Sequence, residues 1–273
     1  MAVAASGPIV DVGWVAAHLD DPRVRLVEVD VTRAPYDEGH IPGAVLWNAY
    51  TDLRDGDYRP VTKAELGRLL LRSGITPEKT VVFYGYGAPL GFWLLKRCGY
   101  EYVRMLMGSR ERWAQSGHAW STDVPEPATN ADPHVAETPA VFASREAVES
   151  AIADPAQVVL DVRAESEYSG ERFWPSGATE DVGRAGHVPG AVSVPIDLLR
   201  ADDGTLRRVS DLRSTFEQAG VTKDKTVIVY CTIGNRASEA WFALTYLLAY
   251  PDVRVYYGSW VEWGKAIDTP VET

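Results

Sequence analysis

The sequence predicts an α/β protein built from two similar domains, each with a mainly parallel β-sheet flanked by helices. Apolar runs typical of buried strands alternate with helical stretches, and one series of short motifs occurs twice along the 273 residues. An apolar content of 46% is enough for two hydrophobic cores. Two domains of ordinary size therefore explain this length better than a single large domain.

The repeated motifs define the domain boundaries. Each copy contains a strand that ends on an acid, a Gly-His-x-Pro-Gly-Ala-Val turn, a Thr-Val-x-x-Tyr strand and a Gly-Ser pair followed by tryptophan. These occupy residues 26–30, 39–45, 80–84 and 108–113 in the first copy and residues 158–161, 186–192, 226–230 and 258–263 in the second. Two copies are too few for a stacked solenoid, so we predict a duplicated domain. Residues 1–122 form the first domain, residues 123–139 have linker composition, and residues 140–273 form the second domain.

Charge and cysteine content limit the classes of partner. The formal net charge of -11 argues against binding to nucleic acid or to an anionic membrane surface. The two cysteines, Cys98 and Cys231, provide no disulfide framework, which is typical of a reducing compartment. The start of the chain has no basic region followed by an apolar stretch, and no apolar run reaches the length of a membrane span. These features predict a soluble cytoplasmic protein.

Cys231 is the candidate nucleophile. It follows the apolar strand at residues 227–230 and precedes a short polar loop that opens a helix. Unpaired amide N–H groups and the helix dipole converge at such a junction, and both favour the thiolate over the thiol. The same amides can hold an anionic substrate. Cys98 lies in an apolar helical stretch, where packing alone accounts for it.

These features resemble the tandem-domain rhodaneses, a family of sulfurtransferases. The resemblance covers nearly the whole chain. It rests on the two Gly-His-x-Pro-Gly-Ala turns, on the Asp-Val-Arg strand end at 161–163, on the loop at 231–236 and on the Gly-Ser-Trp motif at 258–260. The chain is most similar in appearance to actinobacterial-type thiosulfate sulfurtransferases, whose loop reads Cys-Arg-Ile-Gly-Glu-Arg and which share the Glu-Tyr-Ser-Gly motif at 167–170.

The resemblance implies a division of labour and a mechanism. The second domain would be catalytic and the first an inactive copy, since Gly85 aligns with Cys231. Cys231 would take a sulfur atom from a small anionic donor, form a persulfide and pass the sulfur to cyanide, a thiol or thioredoxin. This mechanism requires no metal and no organic cofactor.

The resemblance also implies the residues that bind substrate. The candidates are Arg163, Arg184 and the loop residues Thr232, Ile233, Gly234, Asn235 and Arg236. Arg163 could instead form an ion pair with Glu165 or Glu167. Arg184 ends an insertion at 171–185 that could lie over the site. We expect Arg236 first to shape the loop by pairing with an acid such as Glu239, and only second to bind substrate.

Alternatives remain open for the sulfur donor and for the class of activity. Thr232 and Ile233 stand where thiosulfate enzymes usually carry cations, and Glu167 stands where a second arginine is expected. We therefore favour thiosulfate as donor and retain 3-mercaptopyruvate. A second alternative is a sulfur-relay or binding module without turnover. A phosphatase or arsenate reductase is less favoured, because the four residues between Cys231 and Arg236 are one fewer than the loop of such enzymes contains.

Overall fold

The computed structural model describes residues 7–106, 108–126, 135–136, 139–178, 183–202 and 204–273. The chain divides into two compact units, Met1–Thr138 and Pro139–Thr273. Each unit contains a five-stranded, all-parallel sheet flanked by helices, which confirms the predicted α/β class. The finer division into 1–122, 123–139 and 140–273 stays a prediction, and most of the linker lies outside the described residues.

The first unit alternates strands and helices. Its strands are β1 (Ile9–Val10), β2 (Val24–Asp30), β3 (Val45–Asn48), β4 (Thr80–Tyr84) and β5 (Val103–Leu106). Its helices are α1 (Val12–Ala17), α2 (Ala34–Glu38), α3 (Lys63–Arg72), α4 (Ala88–Arg97) and α5 (Ser109–Gln115). The strand order in the sheet is β1-β5-β4-β2-β3.

The second unit repeats this plan. Its strands are β6 (Phe142–Ala143), β7 (Gln157–Asp161), β8 (Val192–Ser193), β9 (Thr226–Tyr230) and β10 (Val253–Tyr256). Its helices are α6 (Arg145–Ala151), α7 (Glu165–Tyr168), α8 (Val209–Gln218), α9 (Asn235–Phe242) and α10 (Ser259–Lys265). Short 3-10 helices cover Pro139–Val141 and Ile196–Leu199, and a π-helical turn covers Ala243–Leu247. The order β6-β10-β9-β7-β8 is that of the first unit.

The central strand β9 leads to Cys231 at one edge of the sheet. Its residues from Val227 to Tyr230 are at most 1% exposed, because helices cover both faces of a parallel sheet and favour a continuous apolar strand. Asp161 at the end of β7 pairs in register with Tyr230 at the end of β9. Cys231 therefore follows β9 at the carboxyl edge, the usual ligand-binding edge of an open α/β sheet.

The two Gly-His-x-Pro-Gly-Ala turns are held by a stacked histidine and tyrosine. In the second unit the ring centroids of Tyr168 and His187 lie 3.7 Å apart, and His187 Nδ1 donates to the Tyr168 carbonyl at 2.8 Å. The Tyr168 hydroxyl donates to the Ala191 carbonyl at 2.7 Å, and the Tyr230 hydroxyl accepts from the Val188 amide at 3.2 Å. The same contacts occur in the first unit among Tyr36, His40, Ala44, Ile41 and Tyr84. Both histidines thus have structural partners.

Among the described residues, no helix combines the length and the apolar character needed to cross a membrane.

The turn of the second unit leads to a stability prediction. Gly186 has φ 122°, and a Cβ on it would lie 2.2 Å from the Glu272 carbonyl oxygen, whereas Gly190 has φ 70° and open space around it. We expect Gly190→Ala to lower the free energy of unfolding by about 1 kcal/mol, the cost of a left-handed backbone. Gly186→Ala should cost about 3 kcal/mol or more, since it adds a backbone clash. Urea unfolding followed by circular dichroism measures both, and equal losses would contradict this account.

Candidate active site

Cys231 lies in the polar loop between β9 and α9. Its side chain is fully buried, and Sγ accepts a hydrogen bond from the backbone N–H of Gly234 at an N···S distance of 3.0 Å. Gly234 precedes α9 with φ 87°, a left-handed conformation that favours glycine. A main-chain donor is thus directed at the sulfur at the start of a helix, where the dipole adds positive potential.

Three carbonyl groups of this loop are occupied by donors. The carbonyl oxygens of Cys231, Thr232 and Gly234 accept hydrogen bonds from the backbone N–H groups of Trp260, Val261 and Ser238 at 2.9, 3.0 and 3.0 Å. The Ser238 hydroxyl adds a second bond to Gly234 at 2.9 Å. No carbonyl of these three is therefore free to repel an anion in the loop.

The amides that follow these carbonyls remain available. Within the described residues, the backbone N–H groups of Thr232, Ile233 and Asn235 have no hydrogen-bond acceptor. In a trans peptide the N–H points opposite to the C=O, so occupying each carbonyl leaves the next N–H directed the other way. We call the amides of Thr232, Ile233, Gly234 and Asn235 the amide cradle. Such a set of donors can bind an anion or a negatively charged sulfur.

A buried carboxylate supports the loop. Glu167 Oε2 accepts from Arg236 Nη1 at 2.7 Å, and Oε1 accepts from Arg236 Nη2 at 2.9 Å and from Thr232 Oγ1 at 2.5 Å. Burial acts to raise the pKa of the Glu167 carboxyl, but the hydrogen bonds and charge of Arg236 outweigh it and hold the pKa below its usual value. Arg236 thus pairs with Glu167, whereas Glu239 pairs with Arg200, and the loop-shaping role of Arg236 stays a prediction.

The structure places Arg163 differently from the sequence-based expectation of a substrate contact. The guanidinium is fully buried, and it bonds Asp161 through Nε at 3.0 Å and through Nη2 at 2.6 Å. Nη2 also donates to the Gly186 carbonyl at 2.6 Å, and the group lies 4.4 Å from the Trp260 ring centroid. Its ion-pair partner is Asp161 and not Glu165 or Glu167. The substrate contact of Arg163 stays a prediction that this placement does not favour.

The first unit contains the same arrangement without a cysteine. Arg110 donates to Glu28 Oε1 at 2.6 Å and to the Gly39 carbonyl at 2.6 Å, and it lies 4.6 Å from the Trp120 ring centroid. A buried acid on a sheet strand and a turn carbonyl both require a donor, and each unit supplies an arginine. This requirement explains the burial of Arg163 without a substrate.

Arg184 is also engaged within its own unit. Its Nη1 donates to the Thr269 carbonyl at 2.7 Å, and Nη2 donates to Thr269 Oγ1 at 2.6 Å and to the Ala266 carbonyl. Trp260 Nε1 donates to the Arg184 carbonyl at 3.1 Å. Arg184 therefore ties the end of the insertion to the segment after α10. Residues 179–182 of the insertion lie outside the described residues, so its expected position over the site stays a prediction.

The sequence alone assigns no role to Ser259, and it indicates Glu167 as a possible partner of Arg163 and as a departure from an expected cation, but not as a partner of the loop. Ser259 Oγ accepts the backbone N–H of Cys231 at 3.3 Å. The repeated Gly-Ser pair at 108–109 and 258–259 was the sequence feature that could have identified it. In the described part of the chain, no group of three or more His, Cys, Asp or Glu side chains could hold a metal ion.

The equivalent loop of the first unit is closed. Gly85 stands in the place of Cys231, with φ 91° and its N–H donated to Ser109 Oγ at 2.7 Å. The next glycine, Gly87, donates its N–H to the Val29 carbonyl at 2.8 Å. A Cβ on Gly85 would lie 2.6 Å from that same oxygen, so the loop has no room for a cysteine side chain.

Comparison with known proteins agrees with this geometry. The Rhodanese-like domain family matches residues 11–116 and 144–266. A Thermus thermophilus protein named "Sulfur carrier protein TtuD" is 38% identical over 96% of this chain and 95% of its own length. A Haloferax volcanii protein named "Putative thiosulfate sulfurtransferase" is 38% identical over 98% of this chain and 97% of its own length.

Solved structures also superimpose on nearly the whole chain. The anaerobic ergothioneine biosynthesis enzyme from Chlorobium limicola, in complex with trimethyl histidine, superimposes with a TM-score of 0.88 at 27% identity, covering 97% of this chain and 70% of that chain. A variant of EanB that carries a cysteine persulfide, with ergothioneine, superimposes with a TM-score of 0.87 at 27% identity over the same shares. The two matched ranges cover most of the sequence, and the chain belongs to the rhodanese family.

Proposed function

We propose that this protein is a sulfurtransferase that moves the outer sulfur of thiosulfate to a thiol or to cyanide through a persulfide on Cys231. The observation that carries the proposal is the Gly234 N–H directed at Sγ, 3.0 Å away, within the amide cradle. A nucleophilic sulfur at a helix start, surrounded by N–H donors, suits a reaction in which negative charge lies first on Cys231 Sγ and then on the terminal sulfur of its persulfide.

The reaction proceeds in two displacements. The Cys231 thiolate attacks the outer sulfur of thiosulfate, the S–S bond of the donor breaks, and sulfite leaves with the electron pair. Cys231 then carries a persulfide with negative charge on its terminal sulfur. Cyanide attacks that sulfur, thiocyanate leaves, and the thiolate is restored; a thiol acceptor leaves as its own persulfide.

The amide cradle supports the negative charge in this cycle. Its N–H groups on Thr232, Ile233 and Asn235 have no acceptor among the described residues and can bind the terminal sulfur. Donors that are already oriented stabilise developing charge without reorganising, as in an oxyanion hole. A persulfide seen in a solved relative supports the same intermediate here.

The donor is proposed from the relatives and from the charge of the site. Relatives named for thiosulfate sulfurtransferase activity favour thiosulfate. Arg163, Arg184 and Arg236 are each bonded within the unit, so we assign anion capture chiefly to the amide cradle. 3-Mercaptopyruvate, which would release pyruvate, is the alternative donor. Thioredoxin as acceptor and a cytoplasmic location stay predictions.

A second candidate is a sulfur carrier that discharges only onto another protein. The name of the Thermus thermophilus relative favours it, at 38% identity over nearly the full length. Turnover separates the two functions, because a carrier would form the persulfide from thiosulfate yet release no thiocyanate with cyanide.

We expect Cys231→Ser to abolish sulfur transfer, with kcat/KM reduced at least about 10³-fold, since the hydroxyl cannot form a persulfide. Cys98→Ser is the matched control: Cys98 is the C-cap of α4, is 2% exposed and lies in the unit without the cradle, so activity should remain within about twofold. Thiocyanate release with thiosulfate and then with 3-mercaptopyruvate measures both variants and ranks the donors. Equal losses in the two variants would contradict the assignment.

Glu167→Gln tests the support of the loop. The lowered pKa of Glu167 means that its contribution to stability is present above its unfolded pKa of about 4.3 and is lost as the pH falls through the lower folded value. We expect the variant to lose about 3 kcal/mol of unfolding free energy at neutral pH, with kcat/KM about tenfold lower. The stability difference from the wild type should shrink below about pH 4.

Urea unfolding at several pH values measures this difference. The control is Glu239→Gln, which breaks the ion pair between Arg200 and Glu239, a residue of the helix α9 that follows the loop. It should lower stability but leave kcat/KM within about twofold. A stability difference for Glu167→Gln that does not change with pH would count against a charged Glu167.

A further inference from the structure

The first turn of α10 holds the loop at Cys231 by three hydrogen bonds. Ser259 Oγ accepts the Cys231 N–H at 3.3 Å, the Trp260 N–H donates to the Cys231 carbonyl at 2.9 Å, and the Val261 N–H donates to the Thr232 carbonyl at 3.0 Å. The three bonds fix the orientation of three successive peptide planes, those that join residues 230 to 231, 231 to 232 and 232 to 233. The first N–H groups of a helix have no partner within it, so those of Trp260 and Val261 are free to donate to the loop.

Ser259 adopts an unfavourable backbone conformation to make its bond. Its φ is 54°, in the left-handed region, and the residue is fully buried. Such a conformation costs a non-glycine residue about 1 kcal/mol or more. The hydroxyl donates to the Tyr256 carbonyl at 2.8 Å, which leaves an oxygen lone pair for the Cys231 N–H. A glycine would avoid the strain but could not accept that N–H.

The first unit contains the serine bond of this arrangement. Ser109 has φ 48° and accepts the Gly85 N–H at 2.7 Å, as Ser259 accepts that of Cys231. Among the described residues of the first unit, however, the start of α5 donates no backbone bond to the loop that follows Gly85. The serine bond is thus common to both units. The two bonds from the start of a helix to loop carbonyls occur in the second unit, which contains Cys231 and the amide cradle.

We propose that Ser259 is a positioning residue for Cys231. It holds the Cys231 peptide so that Trp260 and Val261 can take the carbonyls of Cys231 and Thr232, which directs the next two N–H groups into the amide cradle. This inference deepens the proposed function and rests on it. Ser259 does not touch substrate; it sets the orientation of the donors that do.

The experiment uses the full chain in a Cys98→Ser background, so that Cys231 is the one thiol. Ser259→Ala removes the acceptor and keeps the strain, Ser259→Gly removes both, and Ser109→Ala is the matched change in the first unit. Thiolate absorbance in the ultraviolet is recorded against pH, and kcat and KM are measured with thiosulfate and cyanide. Melting temperatures report the structural cost.

We expect Ser259→Ala to move the thiolate titration to higher pH and to lower kcat about tenfold, with KM less affected, since one positioning hydrogen bond is lost. Ser259→Gly should melt at a higher temperature than Ser259→Ala because the strain is relieved, yet it should keep the shifted titration and the low kcat. Ser109→Ala should lower the melting temperature while leaving titration and kcat unchanged.

Two results would overturn the proposal. One is a restored titration and kcat in Ser259→Gly, which would make backbone strain the sole role of the position. The other is a Ser259→Ala variant whose titration matches that of the wild type. The titration needs no donor and no acceptor, so a failure of the proposed sulfur transfer remains distinguishable from a failure of this inference.

Discussion

The central constraint in this protein is that three carbonyls of the loop at Cys231 are held by hydrogen-bond donors from α9 and α10. Each carbonyl from Cys231, Thr232 and Gly234 has a donor, supplied by α10 or by the next turn of α9. The Gly234 N–H can then bond Sγ, and the remaining amides are left without acceptors among the described residues. A loop with free carbonyls at the same place would repel the charge that a thiolate or persulfide carries.

The duplicated plan shows which contacts serve the fold and which serve the chemistry. Both units contain the stacked tyrosine and histidine, an arginine bonded to a buried acid and to a turn carbonyl, and the serine that accepts an amide after the central strand. The first two sets of contacts therefore stabilise the fold, whereas the serine bond supports the loop that follows the central strand in each unit. The bonds from α10 to loop carbonyls and the triad of Glu167, Thr232 and Arg236 occur around Cys231, and the described first unit has no equivalent at Gly85.

The sequence was sufficient for the fold class, the duplication and the place of Cys231, because strand periodicity and repeated motifs are local patterns. Partners of charged side chains were less predictable. Arg163 and Arg184 were expected to contact substrate, yet each bonds groups distant in sequence, such as Gly186 and Thr269. The partner of Arg236 is Glu167 rather than the nearby Glu239, since α7 brings that carboxylate to the loop only in the folded chain. Sequence spacing carries no information on such contacts.

The most direct test of this account is the backbone amide spectrum of the protein before and after loading with thiosulfate. If the amide cradle binds the persulfide, the proton resonances of Ile233, Gly234 and Asn235 should shift downfield on loading and return when cyanide removes the sulfur. Resonances of the Gly85 loop should not change. Unchanged resonances at the cradle, in protein whose mass shows the added sulfur, would contradict the account.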